Sequence, residues 1–181
     1  TFTPGLVQLE YRNADRTFAS SSVELFSGAL VLPAPTGLGR ADVTPEEPTG
    51  PAEVIVNDGD PGTSKVGTWS LTVAPDARGW ATDWEWSTSQ EASYTFTAGP
   101  LSGSYEVFAW WVSTSTRTTA AVYTIRDGGA QVGQVTKNQT IGGQAWVSLG
   151  TFAFDGSAEV VLTRGNTSGS LCADAVRWVR R

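Results

Sequence analysis

Short stretches that alternate apolar and polar positions recur along most of the chain, punctuated by Gly, Pro, Asn and Asp. Residues 6–11 form the first. Residues 22–26, running on to 29–32, form the second, with a polar, turn-like 12–16 between them. After residue 52 the signal is dense. Residues 53–56 lead into the turn cluster Asn57, Asp58, Gly59, Asp60, Pro61, Gly62. Residues 67–73 alternate, with Trp69, Leu71 and Val73 sharing a face, and residues 92–97 place Tyr94 beside Phe96. Residues 105–112 are apolar on both faces: Tyr105, Val107, Ala109 and Trp111 on one, Phe108, Trp110 and Val112 on the other. Such a segment predicts a central strand covered from both sides. Residues 120–126, 145–154, 158–163 and 171–179 complete the series, and no stretch of a dozen residues carries a 3.6-residue period. The pattern predicts an all-β chain: a two-sheet antiparallel β-sandwich, jelly-roll-like, with an N-terminal strand extension.

Residues 33–52 hold five Pro and three Gly without apolar periodicity, which reads as a linker or long loop. The expected organisation is therefore an extension over 1–50, with two strands and the Pro/Gly-rich linker, and a sandwich over 51–181. Two strands alone are marginal in water, so residues 1–32 are expected to pair with a neighbouring chain or an upstream domain.

Composition removes several chemistries. The 181 residues carry a formal charge of −6 and no basic block, against a nucleic-acid partner. There is no His, which excludes the Ser-His-Asp triad and His metal ligands. The one Cys, Cys172, cannot form an internal disulfide and reads as a core thiol. No apolar run is long enough to span a membrane. With two Lys against ten Arg and many Ser and Thr, the chain is expected to be extracellular or at the cell surface; without an initiating Met it is expected to be a mature product or a fragment.

Four ordered motifs resemble a known family. They are residues 53–62 (EVIVNDGDPG) followed by Gly67-Thr68-Trp69-Ser70, residues 105–111 (YEVFAWW), residues 138–152 (NQTIGGQAWVSLGTF) and residues 173–179 (ADAVRWV). Together they resemble the golvesin C-terminal-like domain, also described as the xanthan-lyase carbohydrate-binding-like domain, over about residues 52–181. Ala145 departs from the family's Gly-Gly-Gln-Trp run by separating Gln144 from Trp146. The resemblance implies a β-sandwich module on secreted bacterial hydrolases, lyases or cell-surface proteins, associated with polysaccharide and carrying no catalytic constellation.

Eight Trp make sugar binding the first candidate chemistry, because an indole face stacks on the C–H face of a sugar ring. The segment 79–86 mixes aromatic and acidic residues, so Trp80, Asp83, Trp84, Glu85 and Trp86, with Trp110 and Gln144, are the candidate ligand-binding residues. Trp69, Trp111, Trp146 and Trp178 sit on alternating strand faces and read as core. Asn57, Asp58 and Asp60 crowd one turn and are the candidate ligands of a structural Ca²⁺, against the plainer reading of an Asx-type turn. Asp174 is an oddity: it shares a face with Cys172, Val176 and Trp178, and a buried carboxylate needs partners. Asp83 and Glu85 point the same way from one strand, so they cannot flank a sugar as a glycosidase pair does.

The leading expectation is a non-catalytic extracellular module that binds polysaccharide or cell-surface glycan as an accessory to a larger secreted protein, which itself can be an enzyme. The alternative is an assembly subunit whose N-terminal strands pair with neighbouring chains. A hydrolase or lyase fragment is the remote third reading.

Overall fold

The computed structural model describes residues 6–12 and 18–24 as backbone, and residues 50–74 and 78–181 with their side chains. The chain divides into two units, Thr1–Thr44 and Pro45–Arg181. In the first, β1 (Leu6–Arg12) pairs antiparallel with β2 (Phe18–Glu24), Leu6 opposite Glu24 and Arg12 opposite Phe18. The second strand thus starts earlier than the apolar pattern suggests. Its Ser20-Ser21-Ser22 run carries no alternation, and pairing with β1 defines it instead. Residues 25–49, with the expected 29–32 strand and most of the Pro/Gly-rich stretch, lie outside the described residues, as does the expected turn at 13–16.

The second unit is a β-sandwich of two antiparallel sheets. The larger runs in the order β3 (Glu53–Asn57), β12 (Ala175–Arg180), β7 (Ser93–Trp110), β10 (Val147–Arg164), β8 (Ala121–Asp127), β9 (Ala130–Lys137), with β4 (Thr63–Val66) also paired to β7. The smaller sheet runs β11 (Leu171–Ala173), β6 (Asp83–Ser87), β5 (Ser70–Val73). A short 3₁₀ turn, Trp80–Thr82, precedes β6.

Two pairs of expected strands are fused. Residues 92–97 and 105–112 contribute to the 18-residue β7, and 145–154 and 158–163 to the equally long β10. The intervening Gly99-Pro100 resembles a turn, yet the ladder to β10 continues, with Ser157 opposite Pro100 and Ala158 opposite Gly99. Gly99 (φ 85°) supplies a backbone state that side chains disfavour. Pro100 is tolerated because the other edge of β7 changes partner there, from β4 at Ser93–Phe96 to β12 at Tyr105–Trp110.

The core lies between the sheets. Tyr105, Val107, Ala109 and Trp111 face inward from the β7 segment and meet Tyr123, Ile125, Val160, Leu162, Val176 and Trp178. Trp178 is fully buried and Trp111 nearly so; a buried indole contributes about 4–6 kcal/mol at about 25 cal/mol per Å². Cys172 lies in the same core, where burial pushes its thiol up to about 12. Leu71 and Val73 depart from the expectation of inward packing: both are more than half exposed on the edge strand β5.

Candidate functional site

Two arrangements break the inside-out pattern of the sandwich. The first is aromatic and faces outward. Because β7 alternates, burying Tyr105, Val107 and Ala109 turns Phe108 and Trp110 to the outer face of the large sheet. Trp80 from the 3₁₀ turn and Trp146, just before β10, close on Trp110. The ring centroids lie 5.6 Å (Trp80–Trp110), 4.8 Å (Trp80–Trp146) and 5.5 Å (Trp110–Trp146) apart, and all three residues are partly exposed. Arg177 of β12 lays its guanidinium over Phe108 and Trp146, 4.8 and 4.9 Å from their centroids, and pairs with Glu53 at 3.2 Å.

Backbone constraints set this cluster. A Cβ on Gly79 would stand 2.1 Å from the Asp83 carbonyl oxygen, so only glycine fits ahead of Trp80. Ala81 and Thr82 follow with φ of 54° and 83°, a strained pair for non-glycine residues at about 1–3 kcal/mol each. The Trp110 indole N–H donates to the Arg78 carbonyl at 3.1 Å. On the other side Gly143 would bring a Cβ to 2.3 Å from the Trp111 carbonyl oxygen, and the Gln144 N–H donates to that same oxygen at 2.8 Å. Gln144 (φ 58°) is thus a backbone pivot, exposed and two residues from Trp146.

The other segment 79–86 candidates go elsewhere. Trp84 is buried, with the Arg78 guanidinium 5.6 Å from its ring centroid. Glu85 is buried on the opposite, inward face, where it accepts from the Tyr94 hydroxyl and the Lys65 ammonium. Asp83 is half-buried. Trp86 is partly exposed, its indole N–H held by the Thr72 hydroxyl at 3.1 Å, and it borders shallow clefts of about 300, 340 and 210 Å³ edged with Thr and Ser.

The second arrangement is acidic and faces inward. Ala175 pairs with Asn57 and Val176 with Val56 across β12 and β3. One step further along, the Asp58 N–H donates to the Asp174 carbonyl at 2.6 Å, which sets these two residues opposite each other. Val56 and Val176 face the core, so Asp58 and Asp174, two residues on in each direction, face it too. Asp58 is 6% exposed and Asp174 1%; both carboxylate oxygens of Asp58 and the Oδ2 of Asp174 have no hydrogen-bond partner. The remaining oxygen, Oδ1 of Asp174, accepts from the Trp80 N–H at 3.0 Å. Burial, then the charge of Asp83 and that of Glu85, push Asp58 up to about 7; burial, then Asp58, push Asp174 up to about 8.

The expected metal trio is divided by the same alternation. Asp60 turns back, and its Oδ2 accepts from the Asn57 N–H at 2.9 Å, closing the turn on itself. The Asn57 amide donates to the Asp58 backbone carbonyl at 3.2 Å, leaving its Oδ1 buried without a partner. Among the described residues no three acidic, His or Cys side chains converge as a metal group. The oxygens that want a counter-charge are those of Asp58 and Asp174. Both are hard donors suited to Ca²⁺, whose other ligands can be carbonyls, amides and water.

The fold is a two-sheet antiparallel β-sandwich with a cluster of indoles on its outer face. More particularly, residues 54–180 match the Golvesin C-terminal domain, and the chain belongs to that family. It is 30% identical over 145 residues to xanthan lyase of Bacillus sp. (strain GL1), a match that spans 76% of this chain and 16% of the lyase. It superposes on Paenibacillus xanthan lyase with a TM-score of 0.65 at 29% identity, over 72% of this chain and 13% of the lyase. A CBM36 carbohydrate-binding module in complex with calcium and xylotriose shares the fold, with a TM-score of 0.50 at 16% identity, over 69% of this chain and 98% of the module.

Proposed function

We propose that this chain is a non-catalytic, extracellular carbohydrate-binding accessory module of a larger secreted protein, holding polysaccharide or cell-surface glycan against Trp80, Trp110 and Trp146. One observation carries the reading. Three indoles from three separate segments meet on the outer face of the large sheet, away from the core they would otherwise fill. Stacking on a sugar ring uses indole area of this kind. Gln144 and Asp83 stand in neighbouring segments as polar partners for sugar hydroxyls. The family relationship to xanthan lyases, and a shared fold with a xylotriose-binding module, support the class of ligand. Calcium would be held by Asp58 and Asp174, where it would neutralise the buried carboxylates and tie β3 to β12.

The test is retention of the chain on immobilised xanthan, xylan and mannan, with tryptophan fluorescence titrations for affinity. Binding is expected in the millimolar-to-micromolar range, about 4–8 kcal/mol. Trp110→Ala and Trp146→Ala are each expected to weaken it at least tenfold. Full retention by both variants would remove the platform, and no retention of the parent on any glycan would remove the reading.

A second reading has its own observation. Among the described residues β1 and β2 form a two-stranded sheet, each with one edge that no other described strand pairs. Such edges accept a strand from another molecule. Under this reading, deleting residues 1–50 abolishes higher-order assembly seen by light scattering and leaves glycan retention intact.

A further inference from the structure

Asp174 touches both unusual arrangements with one carboxylate. Its Oδ2 is buried without a partner, its backbone carbonyl accepts from the Asp58 N–H, and its Oδ1 holds the Trp80 N–H. We propose that a divalent cation, calcium from the all-oxygen donors, binds between Asp58 and Asp174 and through Asp174 fixes Trp80, so that cation and glycan bind cooperatively. The glycan half of this rests on the proposed function; the link from cation to Trp80 does not.

Two independent facts place a counter-charge here. Like charges directly opposite on neighbouring strands repel, and these two are taken out of water, with three of their four carboxylate oxygens unpartnered. The surroundings make it worse: Asp83 and Glu85 from β6 and Asp60 from the turn add negative charge to Asp58. A hard dication placed between the two would satisfy the free oxygens on both sides at once.

The consequence for Trp80 follows from how its segment is held. Gly79 is wedged against Asp83, and Ala81 and Thr82 occupy left-handed backbone. A segment in such conformations persists only where its surroundings over-determine it. Hydrogen bonds among the described residues do so here: Ala74 N–H to the Thr82 carbonyl at 2.8 Å, Thr82 N–H to the Gly79 carbonyl at 3.4 Å, Trp110 indole N–H to the Arg78 carbonyl, and Trp80 N–H to Asp174. Of these, only the last ties the segment to the Asp58–Asp174 pair. A cation on the unpartnered Oδ2 stops the carboxylate turning and so holds Oδ1 on the Trp80 N–H in a charge-assisted hydrogen bond. Without the cation the two carboxylates repel, Asp174 is free to rotate, and Trp80 loses its anchor. By linkage, glycan must tighten the cation by the factor by which the cation tightens glycan.

The experiment uses the whole chain, stripped with a chelator and titrated with calcium chloride. Calorimetry is expected to show one site, calcium is expected to raise the melting temperature, and hydrogen exchange is expected to show the Trp80 amide slowed on calcium addition. Glycan affinity is expected to rise about 5–50-fold with calcium. Asp58→Asn keeps the shape and lets a carboxamide donate to Asp174; it is expected to abolish the calcium heat and the calcium dependence of Trp80 exchange. No heat and no melting shift at millimolar calcium overturns the proposal. So does calcium binding that leaves Trp80 exchange unchanged, or a response that survives in Asp58→Asn. If no glycan binds in any condition while calcium still slows Trp80, the platform reading fails and the cation link stands on its amide readout.

Discussion

The outer face of β7 and the inner ends of β3 and β12 break the same rule in opposite senses. On β7 the side chains that should be polar are Phe108 and Trp110, and the sandwich leaves indoles facing solvent. At the ends of β3 and β12 the side chains that should be apolar are Asp58 and Asp174, and the core closes over carboxylates. Along the middle of β7 and β12 the pattern is kept, as Tyr105, Val107, Val176 and Trp178 show. Departures that cost stability persist where something else repays them, and here both meet at Trp80, whose ring touches Trp110 and whose N–H is held by Asp174. The contrast teaches that an outward Trp and an inward Trp on this scaffold are different parts, although the sequence spells them alike.

The largest effect should come from the inward class. Trp178→Ala removes a fully buried indole from the centre of the sandwich and is expected to cost about 3–5 kcal/mol in denaturant unfolding. Trp110→Ala, by comparison, should lose about 1–2 kcal/mol of ring contacts with most of its effect on glycan. Equal losses in the two variants would erase the distinction.

The carboxylate pair sharpens the comparison through pH. Both groups are raised from the ordinary 3.8, to about 7 and about 8, so the folded chain holds protons that the unfolded chain has released. Stability without metal is therefore expected to be greatest below about pH 4 as far as these two groups go. It should fall as pH rises through about 7 and 8, then level off. Melting temperatures in chelator across that range check it; a rise over the same window would mean the pair is already neutralised. Smallest of all, Arg177→Lys replaces a flat guanidinium lying on Phe108 and Trp146 with a point charge. About 0.5–1 kcal/mol is expected, with glycan binding weakened only slightly.

Much of the fold was legible because sandwich strands announce themselves locally. The two-faced apolar run at 105–112 marked the central strand, and the cluster Asn57 to Gly62 marked a turn. Strand ends were less legible where glycine carries the ladder onward, as at Gly99. The site divides along the same line. Alternation put Asp174 on the core face, but its partner Asp58 comes from a strand far away in sequence, and no local pattern names that pairing. Alternation also set Trp84 and Trp86 on one face; Arg78 then covers Trp84, and coverage by another segment leaves no mark in the periodicity. Trp146 read as core because it was counted in phase with a strand. The strand begins only at Val147, after the left-handed Gln144 has broken the phase.

Strand β12 lies between β3 and β7, and β3 has no other partner in its sheet. On a ribosome, β3 therefore emerges first and waits, unpaired, until almost the last residue of the module has been made. Its apolar Val54, Ile55 and Val56 and the flank of β7 stay open to mispairing for most of synthesis. Closure is then a single late event, in which one arriving segment seals the sheet, buries Trp178 and brings Asp174 to Asp58.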